Sequence, residues 1–339
     1  RQGHEVKIIS KYRPFNYEDF LKIYPIELTM WGKYILPDIP QFRRNPFKLL
    51  SRVLHRMLSW ILMYPVILDM FKVKRKLRTE PPCDLLISFA VPYPVHWGVA
   101  WARKRKNPIA TKWIADCGDP FMGNTLDTFK PPFYFKYFEK WFFRKADLIT
   151  IPIDTAISGY YSEFHSKIRT IPQGFDFDLD NKASDYELNH VPTFAYAGGF
   201  LPGARDPKEL MEFLVKINVS FKFLVFTKDP SMIESYKEFL RDRLVVSDFI
   251  PREELLKILS KMDFLINFDN NTTLNSPSKL IDYAIVGRPV FNITRTFDHS
   301  KFERFLKGDY RGRMDIPDLE RYHIKNVTNN FFKLLSELK

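Results

Sequence analysis

Cysteine is nearly absent: Cys83 and Cys117 are the only two in 339 residues. They stand alone, in neither the spacing of a zinc knuckle nor that of a redox C-x-x-C, which excludes a disulfide framework and a cysteine zinc site and leaves a reducing, cytoplasmic setting as the expectation. Long apolar runs are scarce as well. The longest, Trp60 to Leu68, is interrupted by Pro65 and falls far short of the roughly 20 residues that cross a bilayer, so no helical span is expected. Low-complexity tracts and repeats of fixed period are missing, which excludes fibrous and solenoid architectures. Carboxylates are deficient in one half only. Residues 1–150 carry 26 Lys and Arg against 13 Asp and Glu, a net +13, whereas residues 151–339 carry 26 against 27, a net −1. An anionic partner is therefore expected for the first half alone.

What is present is aromatic and periodic. The 32 phenylalanines supply large apolar surface for a core, and short runs rich in Val, Ile and Phe alternate with helical patterns. In the second half these runs are "TFAYAG" (193–198), "FKFLVFT" (221–227), "RLVVSDFI" (243–250), "DFLINF" (263–268) and "RPVFNI" (288–293). Helical stretches are expected from Asp206, after Pro230, from Pro251 and across 276–286. The first half repeats the rhythm less cleanly, with strands near 5–10, 84–89, 110–116, 147–152 and 168–172 and helices near 91–106, 133–146 and 154–166. Strands alternating with helices read as parallel, doubly wound α/β sheets. Two such domains are expected, 1–175 and 191–339, joined by the polar linker 176–190. A chain that opens on "RQGHEVKIIS" is expected to lack an upstream strand and loop.

One segment departs from the rhythm. From Asn45 to Tyr64, Phe47, Leu50, Leu54, Met57, Leu58 and Ile61 recur at helical spacing, while Lys48, Arg52 and Arg56 line up four apart. Such a helix either packs its apolar stripe on the first sheet or lies in an anionic membrane interface, with the basic 43–78 region as the contact.

Two constellations could carry chemistry. In "NSPSKLIDYAIVGRPV" (275–290), Ser276 and Pro277 form a helix start whose free amides favour a phosphate, with Lys279 adding charge. Asp282 follows on the next turn, where a carboxylate accepts ribose hydroxyls; the competing reading is a capped amphipathic helix with a solvated Asp282. In "AYAGGFLPGARDPKEL" (195–210), Gly198 and Gly199 permit close backbone approach to a phosphate, and Arg205 with Lys208 could neutralise a diphosphate. The competing reading is a turn with a solvated basic pair. "FDFDLD", with Asp176, Asp178 and Asp180, imitates a metal-binding pattern but opens the linker rather than ending a strand, so no metal is expected.

The order of "FAYAGGF…RDP", "FLVF", "VSDFIPREELLKIL", "MDFLINF" and "SPSKLIDYAIVGRPV" resembles the nucleotide-sugar domain of retaining glycosyltransferases of family four. "RQGHEVKIIS", "FRKADLITIP" and "IRTIPQGFD" are similar to that family's N-terminal landmarks. The resemblance implies a GT-B fold, two Rossmann-like domains facing a cleft. It assigns Asp282 to the second acid of the Glu-x7-Glu motif, on the ribose, and leaves Leu274 where the first acid should stand, with Thr273 or Asn275 as substitutes. Arg205 matches the diphosphate arginine, Lys208 its companion, and Phe249 and Ile250 the turn that meets the base. Asn275, Ser276, Ser278 and Lys279 complete the donor set with Gly198 and Gly199. On the acceptor half, Asp119 matches the acid at a strand end, better than Asp116, and His96 begins a helix on the acceptor side, unless it is a core histidine.

The activity so implied is metal-independent sugar transfer, with retention, from a UDP- or GDP-linked donor to a saccharide or lipid-linked saccharide in surface-polysaccharide synthesis. No cofactor beyond the donor is required. The alternatives are an inactive relative that binds nucleotide or membrane, a nucleotide-sugar epimerase, and a basic nucleic-acid-binding protein. The last lacks any recognition module among its cations.

Overall fold

The computed structural model of the protein describes residues 3–12, 16–24, 26–31, 48–90, 92–106, 108–125, 130–177, 186–269, 279–294, 296–316 and 318–337. The chain divides into two compact units. One comprises Arg1–Ile151 and Ile157–Arg169, the other Pro152–Ala156 and Thr170–Glu337.

The first unit runs β1 (Lys7–Lys11), α1 (Tyr17–Ile23), β2 (Glu27–Trp31), α2 (Lys48–Leu62), α3 (Leu68–Leu77), β3 (Cys83–Ala90), α4 (Pro94–Ala102), β4 (Ala110–Cys117), α5 (Phe135–Lys145), β5 (Leu148–Ile151) and β6 (Ile168–Thr170). Strands β3-β4-β5-β6 form one sheet, and β1 pairs with β2 in a separate parallel ribbon. That pairing was not readable in the sequence, because "ELTMW" is short and its partner lies some 20 residues earlier. Residues 154–166 also depart from expectation. Instead of one helix they form two 3-10 turns, Asp154–Gly159 and Ser162–Lys167. Gly159 lowers helix propensity by about 1 kcal/mol relative to alanine. Its backbone also presses against Gly123, where an added Cβ would lie 2.1 Å from the Gly159 carbonyl oxygen.

The second unit runs β7 (Thr193–Ala197), α6 (Lys208–Lys216), β8 (Lys222–Phe226), α7 (Lys237–Leu240), β9 (Leu244–Ser247), α8 (Arg252–Leu259), β10 (Phe264–Phe268), α9 (Lys279–Val286), β11 (Val290–Ile293), α10 (His299–Leu306) and α11 (Ile324–Glu337). Its five strands are parallel in the order β11-β10-β7-β8-β9. All five residues of β10 are buried, as its unbroken apolar run requires of a strand covered on both faces. The phenylalanines do the filling: Phe194 stacks on Phe264 with ring centroids 4.7 Å apart, and Phe302 meets both rings edge-on.

Helix α9 is pinned by one residue. The Tyr283 hydroxyl donates to the Ile266 carbonyl at 3.0 Å and accepts the Ala197 amide at 3.2 Å, tying the helix to β10 and β7 at once. With Leu280, Ile281, Tyr283 and Ala284 turned inward, Lys279 and Asp282 are left to the carboxyl edge of the sheet and its outer face.

Candidate functional site: a cationic edge of the second sheet

Strand β7 ends in Gly198 and Gly199. Gly198 has φ +152°, a conformation side chains rarely adopt, and an added Cβ would lie 3.0 Å from the Tyr196 hydroxyl. That hydroxyl donates to the Gly199 carbonyl at 2.8 Å, so strand and turn are locked together. Beyond the turn, the Leu201 amide donates to the Arg205 carbonyl at 3.1 Å, folding Arg205 back toward the strand end.

Two cations gather there. Lys279, the first residue of α9, keeps part of its chain half-exposed, yet its Nζ is sealed from solvent with no hydrogen-bond partner among the described residues. It sits 4.6 Å from the centroid of the Tyr196 ring. The Nε of Arg205 is likewise sealed and unpartnered. Burial first, and then the neighbouring Arg205 charge, push the Lys279 ammonium down to about 7, with Asp269 opposing the shift. Burying a cation without a partner costs several kcal/mol. Lys279, with an unbonded guanidinium nitrogen of Arg205 beside it, forms an edge that an anion would complete.

Asp282 lies one turn further along α9. Its Oδ1 accepts a hydrogen bond from Arg252 Nε at 2.8 Å and forms an ion pair with Arg252 NH2 at 2.7 Å. The guanidinium carbon of Arg252 in turn stands 5.4 Å over the Phe175 ring. Next to Arg252 the turn after β9 presents Phe249, half of whose surface is exposed, with Lys228 Nζ 5.6 Å from its ring. Ile250 beside it is half-buried. Glycines, cations, Asp282 and the Phe249 turn thus occupy connections leaving β7, β9 and β10, the edge at which parallel sheets hold ligands.

Several expected residues fall elsewhere. Lys208 is exposed and its Nζ lies 3.9 Å from Glu212 Oε1 on its own helix; Lys279 takes the place beside Arg205 that the sequence assigned to Lys208. Asn275, Ser276 and Ser278, with Leu274, Thr273 and Pro277, lie outside the described residues, as do Asp178 and Asp180. In the first unit, His96 is wholly enclosed. Its Nδ1 meets Ser88 Oγ at 2.8 Å, its Nε2 lies 3.7 Å from Cys117 Sγ, and its ring stacks on Phe142. Burial pushes it down to about 3, so it is a neutral core group with no edge to offer an acceptor. Asp119 is half-buried just past β4, its carbonyl accepting the Tyr93 hydroxyl at 2.5 Å. Asp116, on the strand itself, accepts Thr150 Oγ1 at 2.5 Å and is pushed up to about 6 by burial. Sequence reasoning missed Arg252, Tyr196 and Asp269; the only signal was a basic residue opening the helix of "PREELL", with nothing to say what it would meet.

The architecture has solved counterparts. A glycosyltransferase from Rickettsia africae superposes with a TM-score of 0.61 over 99% of this chain and 90% of its own, at 11% identity. The galactosyltransferase WaaB of the lipopolysaccharide outer core gives 0.55 over 98% and 99%, at 13% identity. HepE from Anabaena, solved with UDP, gives 0.55 over 98% and 100%, at 9% identity. The fold is GT-B. No protein-family model matches the chain, and no curated protein matches it in sequence. At such low identity the likeness concerns the GT-B backbone alone. Within it, the cationic edge just described belongs to the second Rossmann-like unit.

Proposed function

We propose that this GT-B chain is a glycosyltransferase that binds a nucleotide-diphosphate sugar on its second unit and passes the sugar, with retention, to a saccharide or lipid-linked saccharide. One observation carries the reading: Lys279 Nζ and Arg205 Nε are sealed at the carboxyl edge of a parallel sheet with no partner among the described residues. A diphosphate supplies the missing charge. HepE has been solved with UDP and with UDP-glucose, which makes UDP the first nucleotide to try, with GDP second.

In this reading Arg205 and Lys279 neutralise the diphosphate as its bond to the anomeric carbon breaks, the lack of side chains at Gly198 and Gly199 allows its close approach, and Asp282 holds the ribose. The acceptor hydroxyl oxygen bonds to the anomeric carbon from the face the diphosphate leaves, and its proton passes to the departing phosphate oxygen. Such a reaction demands positioning and charge stabilisation rather than a protein nucleophile, and Asp119 is proposed to face the reacting sugar. Metal-independence, the acceptor class and a place in surface-polysaccharide synthesis belong to the same proposal. Leu274 at the place of the first motif acid supports a second reading, a relative that binds nucleotide without transferring sugar.

The test has two stages. UDP or GDP should raise the melting temperature of the protein, and Asp282→Ala should remove that rise; no response to any nucleotide would overturn the reading. A screen of sugar donors, scored by sugar-dependent release of nucleoside diphosphate, then separates transfer from binding alone.

A further inference from the structure

The first unit carries an exposed face that the nucleotide site does not use. On α2, Val53, Leu54, Met57, Trp60 and Ile61 recur along one side of the helix and remain 46%, 54%, 49%, 52% and 36% exposed. A soluble helix normally turns such a stripe into the core. Here the inward contacts come from half-buried His55 and Leu58 instead. The stripe does not end with the helix. Trp60 Nε1 donates to the Lys130 carbonyl at 3.0 Å, and the Tyr134 hydroxyl donates to the Ile61 carbonyl. These bonds bring the approach to α5 alongside, where Phe133 and Tyr137 are 71% and 59% exposed.

Charge says what covers this face. Arg52 and Arg56 are exposed and form no ion pair among the described residues. Lys136 lies over the Tyr137 ring, 5.0 Å from its centroid. No carboxylate occurs in residues 48–68 or 128–138. Apolar side chains flanked by cations and free of acids fit a surface that is negative outside and hydrocarbon within. A second copy of the same face would set cation against cation, and a nucleic acid would leave the apolar stripe wet.

We propose that α2, with Phe133 and Tyr137 beside it, docks on an anionic lipid surface, the apolar stripe entering the headgroup boundary and the cations meeting lipid phosphates. This goes beyond the nucleotide-site reading and does not rest on it. Residues at such a depth bind in two parts, one salt-sensitive and one not.

The full chain should float with vesicles of phosphatidylcholine containing about one-third phosphatidylglycerol and stay behind with phosphatidylcholine alone. Replacing Arg52 and Arg56 by Gln should weaken binding by about 25-fold at low salt, about five-fold for each cation. Leu54→Ser with Met57→Ser should instead remove the part that survives at about 0.5 M salt, where exposed charges are screened. All four side chains are exposed, and circular dichroism checks that the fold is kept; if a variant unfolds, the headgroup and salt dependence of the unaltered chain decides. The proposal fails if neutral and anionic vesicles bind alike, if neither vesicle binds, or if neither double variant changes binding. It also fails if the Leu54 and Met57 changes dissolve a dimer rather than a vesicle complex, or if duplex DNA binds and vesicles do not.

Discussion

Both Nε and NH2 of Arg252 reach a single oxygen of Asp282, at 2.8 and 2.7 Å, so Oδ1 is committed within the protein. Both contacts fall on Oδ1, and Oδ2 is the oxygen the proposed site offers to ribose. The pair is part-exposed, with side chains 40% and 21% accessible, so its share of fold stability is about 0–1 kcal/mol. Asp282→Ala should therefore lower UDP affinity by roughly 10- to 100-fold, a charge-assisted hydrogen bond being worth about 1.5–3 kcal/mol. The ligand-free melting temperature should move by no more than about 3 °C. Isothermal titration and a thermal melt on the same variant measure both. Loss of the fold together with the affinity would make Asp282 a structural residue.

Lys279 reverses that balance. Its ammonium is buried without a hydrogen bond and carries a desolvation cost, so Lys279→Met should leave the ligand-free protein as stable as before or raise its melting point by a few degrees. The same change should abolish nucleotide binding. A variant that melts much lower would show that Nζ supports the fold rather than a ligand.

The same group sets a pH dependence. Lys279 is pushed down from the ordinary lysine range to about 7; an unfolded lysine titrates near 10.4. Between those values the unfolded chain holds the proton and the folded one does not, so this group's penalty on the fold is full below about pH 7 and fades as pH rises toward 10.4. A bound diphosphate raises the value again. UDP binding should then take up protons near neutral pH and weaken above it, by up to about ten-fold per pH unit. Calorimetry in buffers of different ionisation enthalpy measures the uptake, and Lys279→Arg should abolish it.

Gly198 tests the phosphate turn. An alanine there meets both φ +152° and the Tyr196 hydroxyl at 3.0 Å, a strain of about 1–3 kcal/mol. Gly198→Ala should weaken nucleotide binding, and Tyr196→Phe in that background should restore part of it by removing the nearest atom. Equal affinity in all the variants would place the nucleotide elsewhere.

In the first unit, burial raises the Glu139 carboxyl to about 7. The folded state then holds a proton between about pH 4.5 and 7 that the unfolded state has lost, so this group's contribution falls as pH rises through that window. Glu139→Gln should raise the melting temperature at pH 8 and flatten its slope below 7, as read by melts across the range. An unchanged slope would assign the pH response to Asp116, which burial raises to about 6.

How much of this was legible differs between the units. The β7–β11 series could be read because each strand is a short apolar run with a helix behind it, and a parallel sheet buried on both faces demands that pattern. The β1–β2 ribbon and the 3-10 turns at 154–167 could not, since short segments are settled by what packs on them. At the candidate site, the glycines, Arg205 and Asp282 could be singled out by residue type and spacing alone.

The sequence by itself determined the alternation of strands and helices, the concentration of cations in the first half, and which side chains near 198–205 and 279–282 could hold an anion and a ribose. These are properties of residue type and of local period. Only the tertiary structure decided that Lys279 rather than Lys208 stands beside Arg205, that Arg252 claims one oxygen of Asp282, and that His96 is sealed among Ser88, Cys117 and Phe142. Each of those outcomes depends on residues up to 74 positions apart meeting at one edge or in one core, and no local pattern records which distant side chain arrives.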